Sequence, residues 1–89
     1  MLVRWSRHAK EMFAERAVKL GINYGEIEFL IKKQEVKIKE AENRFKTVFK
    51  IMNDFMTAIK IEKKEFIHVV TLWESNQTEA DQWKSLKKK

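Results

Sequence analysis

The side chains best suited to chemistry in this 89-residue chain are His8 and Arg16, eight residues apart near its start. An imidazole titrates near neutrality, so His8 is the available proton shuttle outside the expected core. The Arg16 guanidinium can hold a phosphate through two parallel hydrogen bonds. Farther on, Arg44, Lys46, Lys50 and Lys60 lie in alternating runs that lead to Thr71 and Trp73. The cations supply field and backbone contacts, the threonine hydroxyl can bond a phosphate oxygen, and the indole can stack a base. Such a set suits an anionic ligand that carries bases. Each member also has an ordinary structural reading. His8 can decorate a helix turn, and Arg16 can reach past Phe13 to water or pair with Glu15 or Glu28. Thr71 is a good strand residue, and a lysine-rich sheet face is often merely solvated.

Composition narrows the field. Nineteen Lys and Arg against thirteen Asp and Glu leave a net charge of +6, which favours nucleic acid, an anionic membrane surface or an acidic protein. With no cysteine, neither a disulfide framework nor a thiolate zinc site can form. Two histidines without an acidic cluster at ligand spacing argue against a metal, and no cofactor is expected. No apolar run is long enough to cross a bilayer and the start lacks a signal-peptide core, which places the protein in the cytoplasm.

The elements that must position these groups follow from local signals. Leu2 to Trp5 reads as an edge strand, and Ser6 as the cap of a helix from Arg7 to Leu20 that Gly21 stops. Its apolar stripe is Ala9, Met12, Phe13, Ala17 and Leu20, with Arg16 inside it. Asn23 with Glu26 forms a capping box, and Ile22 can staple against Ile27. A second helix from Tyr24 to Lys33 follows, burying Ile27, Leu30 and Ile31. Val36 and Ile38 mark a strand. From Arg44 to Glu74, three runs of period two, rich in aromatic and β-branched residues, predict an antiparallel meander.

A three-residue turn at Met52 to Asp54 and a two-residue loop at Lys63 and Lys64 set the faces. One face gathers Phe45, Thr47, Phe49, Ile51, Phe55, Thr57, Ile59, Ile61, Phe66, His68, Val70 and Leu72 beneath the helices. His68 is thereby read as a hydrogen-bonded core residue. The open face carries Arg44, Lys46, Lys50, Lys60, Thr71 and Trp73, with Val48, Met56, Ala58, Ile67 and Val69 between them. Thr78 is expected to cap a short helix holding Ala80, Trp83 and Leu86. The chain is thus a single α+β domain over 1–89. Residues 1–34 hold a strand and two helices packed on one sheet face, 35–75 the twisted antiparallel sheet, and 76–89 a polar tail.

Trp5-Ser6-Arg7-His8-Ala9, with Arg16 after it, resembles the opening of small RelE/ParE-like toxins. Their signature is Ser-x-His-Ala, then Arg-Met-x-x-Arg on the first helix. Val69-Val70-Thr71-Leu72-Trp73 is similar to that family's late strand, which ends in Val-Val-Thr plus an aromatic residue. In element order the likeness runs through essentially the whole chain. Met12 stands where the first motif arginine is expected, Ala17 replaces the usual glycine, and a few extra residues lengthen the helix junction. The resemblance implies a RelE-like β-α-α-β-β-β-β fold with RNA on the free sheet face. It further implies a metal-independent endoribonuclease, the toxin of a toxin–antitoxin pair, whose partners are RNA (ribosome-associated messenger among the candidates) and an acidic antitoxin. Cleavage would proceed by attack of the 2′-hydroxyl, with His8, Arg16 and Thr71 as catalytic residues. Arg44, Lys46, Lys50, Lys60 and Trp73 would bind the RNA. Loss of the arginine at Met12 supports a second reading, a non-catalytic RNA- or protein-binding module on the same fold. A third is an assembly protein whose charge serves solubility alone.

Overall fold

A computed structural model describes residues 2–33 and 36–87 of the chain, apart from the side chains of Leu20 and Lys87. The expected boundary between residues 34 and 35 and the apolar role of Leu20 lie outside what is described. In chain order the elements are β1 (Leu2–Trp5), α1 (Arg7–Leu20), α2 (Tyr24–Lys33), β2 (Lys37–Ala41), β3 (Arg44–Ile51), β4 (Asp54–Glu62), β5 (Phe66–Glu74) and α3 (Gln77–Lys87). The class is α+β, as the sequence predicts. One feature differs from the expected layout: the sheet, ordered β1-β5-β4-β3-β2, is mixed because β1 runs parallel to β5. The short helix expected in the tail is α3. Among the described residues no helix is long and apolar enough to cross a membrane.

Local chemistry accounts for the helix ends. The Ser6 hydroxyl accepts from the Ala9 N–H at 3.0 Å and donates to the Val70 carbonyl at 2.6 Å, so one side chain caps α1 and ties it to β5. Gly21, at φ 66°, closes the helix by donating to the Ala17 carbonyl, a conformation that costs glycine little. The Asn23 side chain accepts from the Glu26 N–H at 3.0 Å and starts α2. Asn76, in place of Thr78, caps α3 by accepting from the Glu79 N–H at 2.8 Å.

The helices α1 and α2 bury Ala9, Phe13, Ile27 and Ile31 against Val3, Phe49, Ile51, Met56, Ala58, Ile67, Val69 and Leu72. Trp5, Phe13 and Tyr24 stack at ring separations of 4.5 to 5.4 Å at one end of this layer. α3 packs on the opposite face, over β3 and β4.

The faces of β4 and part of β5 are reversed from the sequence reading. Ile51 pairs with Asp54, so the turn has two residues, Met52 and Asn53, with Met52 at φ 56°. One residue fewer in the turn swaps every β4 side chain to the other face. Met56, Ala58 and Lys60 therefore lie beneath α1 and α2, while Phe55, Thr57, Ile59 and Ile61 face the other way. The next hairpin pairs Glu62 with Ile67, which carries the swap into β5 and puts Phe66 and His68 on the open side. A bulge then restores the original phase: Lys60 pairs with Val69 but Ile59 pairs with Thr71, leaving Val70 as the extra residue. Thr71, Leu72 and Trp73 consequently stand where they were expected.

Candidate nucleic-acid interface

The three residues expected to be catalytic do not converge. His8 is exposed in the first turn of α1. Arg16 lies eight residues on, about 12 Å along the helix axis, and its Nη2 is 2.9 Å from Glu74 Oε2. Together with Lys19, Asp54 and Met56 this pair borders a cleft of about 200 Å³. Thr71, opposite Ile59, is on the far side of the sheet from α1. No single phosphate can touch all three.

The expected binding residues divide as well. Arg44 is exposed on the open face, where Glu40 Oε1 lies 3.6 Å from its Nε. Lys50 is exposed beside α3, its Nζ 6.0 Å from the Trp83 ring centre. Lys46 Nζ is 3.0 Å from Glu79 Oε2, and the Trp73 indole N–H donates to Glu79 Oε1 at 3.0 Å. Lys60 belongs to a different environment. The two-residue turn places it under the helices with no solvent exposure, so it cannot serve RNA on the open face. Its Nζ lies 3.1 Å from Glu62 Oε2, close enough to pair although not aligned for a hydrogen bond. Lys37 Nζ approaches the same carboxylate at 2.9 Å while lying 4.0 Å from the Phe45 ring centre. Burial lowers the Lys60 pKa and outweighs the stabilising effect of Glu62. The Glu62 pKa is lowered too: burial alone would raise it, but the bond from Lys37 and the nearby Lys60 and Lys37 charges prevail.

What the fold does bring together is a row that the sequence reading passes over. Cross-strand partners share a face, and Arg4 pairs with His68, His68 with Ile61, and Ile61 with Arg44. These four side chains form one line across β1, β5, β4 and β3, about 14 Å long at three strand spacings. Arg4 and Arg44 are exposed at its ends, with His68 and Ile61 half-buried between them. The Arg4 guanidinium also lies 5.0 Å from the Phe66 ring centre, as a cation over an aromatic face. The adjacent row is Thr71, Ile59 and Lys46. Two fixed cations, an imidazole, a hydroxyl and an aromatic ring thus share one open strip of sheet. The sequence signal for His68 was the Met52-Asn53 dipeptide read as a complete two-residue turn. Nothing local marked Arg4, which owes its place to the parallel pairing of β1.

Among the described residues no group of His, Asp and Glu could hold a metal. A groove of about 600 Å³ lies elsewhere, between α2 and the β3–β4 turn, and is lined by Phe29, Leu30, Ile51 and Met52 among others. Comparison with models of known families, with curated proteins and with solved structures finds nothing that matches this chain.

Proposed function

We propose that the protein binds single-stranded RNA across the open strip of its sheet, as a RelE/ParE-like module. The observation that carries this reading is the Arg4–His68–Ile61–Arg44 row beside Phe66. Two arginines set three strand spacings apart, about 14 Å along the sheet, span more than one phosphate, and the residues between them are Ile61 and His68 beside the Phe66 ring. An aromatic platform flanked by cations suits unstacked bases better than a duplex, whose bases are unavailable for stacking. Net positive charge adds long-range attraction for any RNA.

A second reading, metal-independent cleavage by a toxin of a toxin–antitoxin pair, is favoured by His68. An imidazole between two guanidiniums can move a proton at the 2′-hydroxyl or the leaving oxygen while the cations stabilise the charged phosphorane. In this reading His68 replaces His8 as proton carrier, and an acidic antitoxin would cover the same strip.

Binding is tested with a short unstructured RNA in titrations at two salt concentrations. Arg4→Ala and Arg44→Ala should each weaken it about tenfold and reduce the salt slope, while His8→Ala and Arg16→Ala should not. Wild-type affinity in both strip variants would end the proposal. Incubation with RNA in EDTA tests the second reading. His68→Ala should abolish fragments ending in 2′,3′-cyclic phosphate while binding persists; no cleavage by wild type, with ribosomes present or absent, leaves only the binding module.

A further inference from the structure

The strip ends where α3 begins, and the contact between them is unusual in being made by a carboxylate. Glu79 is 3% exposed, and both of its oxygens are engaged. Oε1 accepts from the Trp73 indole N–H and from the Asn76 backbone N–H, each at 3.0 Å. Oε2 lies 3.0 Å from Lys46 Nζ. Lys46 is in the row next to Arg44 and His68, together with Thr71. The Asn76 N–H belongs to the cap of α3 itself, whereas the Lys46 ammonium and the Trp73 indole N–H come from the sheet and converge on one anion as the donors of a phosphate contact would.

The rest of the helix packs through ring contacts and a few side chains. Among its apolar side chains Ala80 is buried, Trp83 is half-buried and Leu86 is 37% exposed. Trp83 packs on Phe55 at 5.2 Å, the Asn76 side chain caps the first turn, and Gln82 Oε1 is buried with no hydrogen-bond partner. The charged tie at its start adds a directional contact, one that another anion can replace, to this packing.

Building on the RNA reading above, we infer that α3 is an intramolecular competitor for RNA: Glu79 occupies a phosphate subsite made by the sheet residues Lys46 and Trp73, and RNA extending along the sheet displaces the helix. In the latched state the RNA site is the Arg4–Arg44 row. In the open state it gains Lys46 and the Trp73 indole, which complete the second row beside Thr71.

The test uses the full chain and a short unstructured RNA. Glu79→Gln keeps an oxygen for Trp73 and Asn76 but removes the attraction to Lys46. It should raise affinity about five- to tenfold and steepen the salt slope by about 0.7, as one more phosphate is neutralised. Glu15→Gln, the same charge change on α1, should do neither. The gain should vanish in Glu79→Gln/Lys46→Ala, and amide exchange in α3 should accelerate when RNA is added to wild type. A gain equal to that of Glu15→Gln, a gain that survives Lys46→Ala, or slower α3 exchange with RNA overturns the latch. Binding that depends on Arg4 and Arg44 but ignores Glu79→Gln overturns the latch alone. No binding by wild type or Glu79→Gln overturns the RNA reading and takes the latch with it.

Discussion

The two faces of this sheet are covered by different physics. Under α1 and α2, Phe13, Ile27, Ile31, Phe49, Met56 and Leu72 are almost wholly withdrawn from water. That layer is held by apolar area, a non-directional force with no part that a ligand can replace. On the other face, α3 meets the sheet through the Glu79 contacts with Lys46 and Trp73 and through ring contacts of Trp83 and Phe55, while Arg4 and Arg44 stay exposed beyond it. Polar ties are directional and can be exchanged for those of another anion. A permanent layer and a replaceable one therefore share five strands, and the candidate site lies on the replaceable side.

Substitutions can break that comparison, and the largest effect belongs to the dry layer. Phe13→Ala should cost about 3–5 kcal/mol of global stability in denaturant unfolding. A loss below about 1 kcal/mol would mean that α1 is no better anchored than α3. Next, Glu79→Ala should loosen α3 by about 2 kcal/mol in amide exchange while leaving the β5 amides protected. Equal acceleration in both would show one cooperative unit in place of two.

Acid should do the same more gently. Burial alone would raise the Glu79 pKa, but bonds from the Asn76 amide, Trp73 and Lys46 outweigh it and hold it below the ordinary value. A depressed folded pKa means stability that is complete above the unfolded carboxylate pKa and lost as pH falls through the folded one. α3 exchange should therefore accelerate at acid pH before that of α1; loss of both at the same pH would refute the separation.

Lys60 is a charged residue buried on the face that the dry layer occupies. Lys60→Met removes a buried cation, and Glu62 keeps Lys37, so stability at neutral pH should stay level or rise by up to about 2 kcal/mol in thermal melts. A clear loss would show that the Lys37–Glu62–Lys60 group braces β2 against β4. The smallest effect is expected at Met52, whose φ of 56° is a poor one for a side chain. Met52→Gly should gain about 0.5 kcal/mol net, as relieved strain exceeds the lost chain restriction. A loss would mean that the exposed Met52 side chain contributes packing at the α2 groove.

Legibility in the sequence followed the range of the interaction. Ser6, Gly21 and the Asn23–Glu26 pair act within one helical turn, and α1 and α2 begin and end at the expected residues. Thr71 and Trp73 were assigned to the correct face because two opposite slips, one at the Met52-Asn53 turn and one at the Val70 bulge, cancel beyond residue 70. Between those points nothing cancelled, and Lys60 and His68 exchanged roles. Both are plausible on either face by residue type, so no local preference corrected the register.

The sequence by itself determined the helices, the strand runs, the net charge and the absence of cysteine chemistry, since each depends on neighbours a few residues apart or on composition. Tertiary structure decided which side of the sheet each strand residue faces, that Arg4 joins the row through parallel pairing, and that Glu79 engages Lys46. Side-chain phase in a strand has period two, so one residue in a turn or a bulge reverses it. Packing across the whole sheet selects among those alternatives, because only one phase of β4 puts Met56 and Ala58 beneath α1 and α2 and leaves His68 in the open.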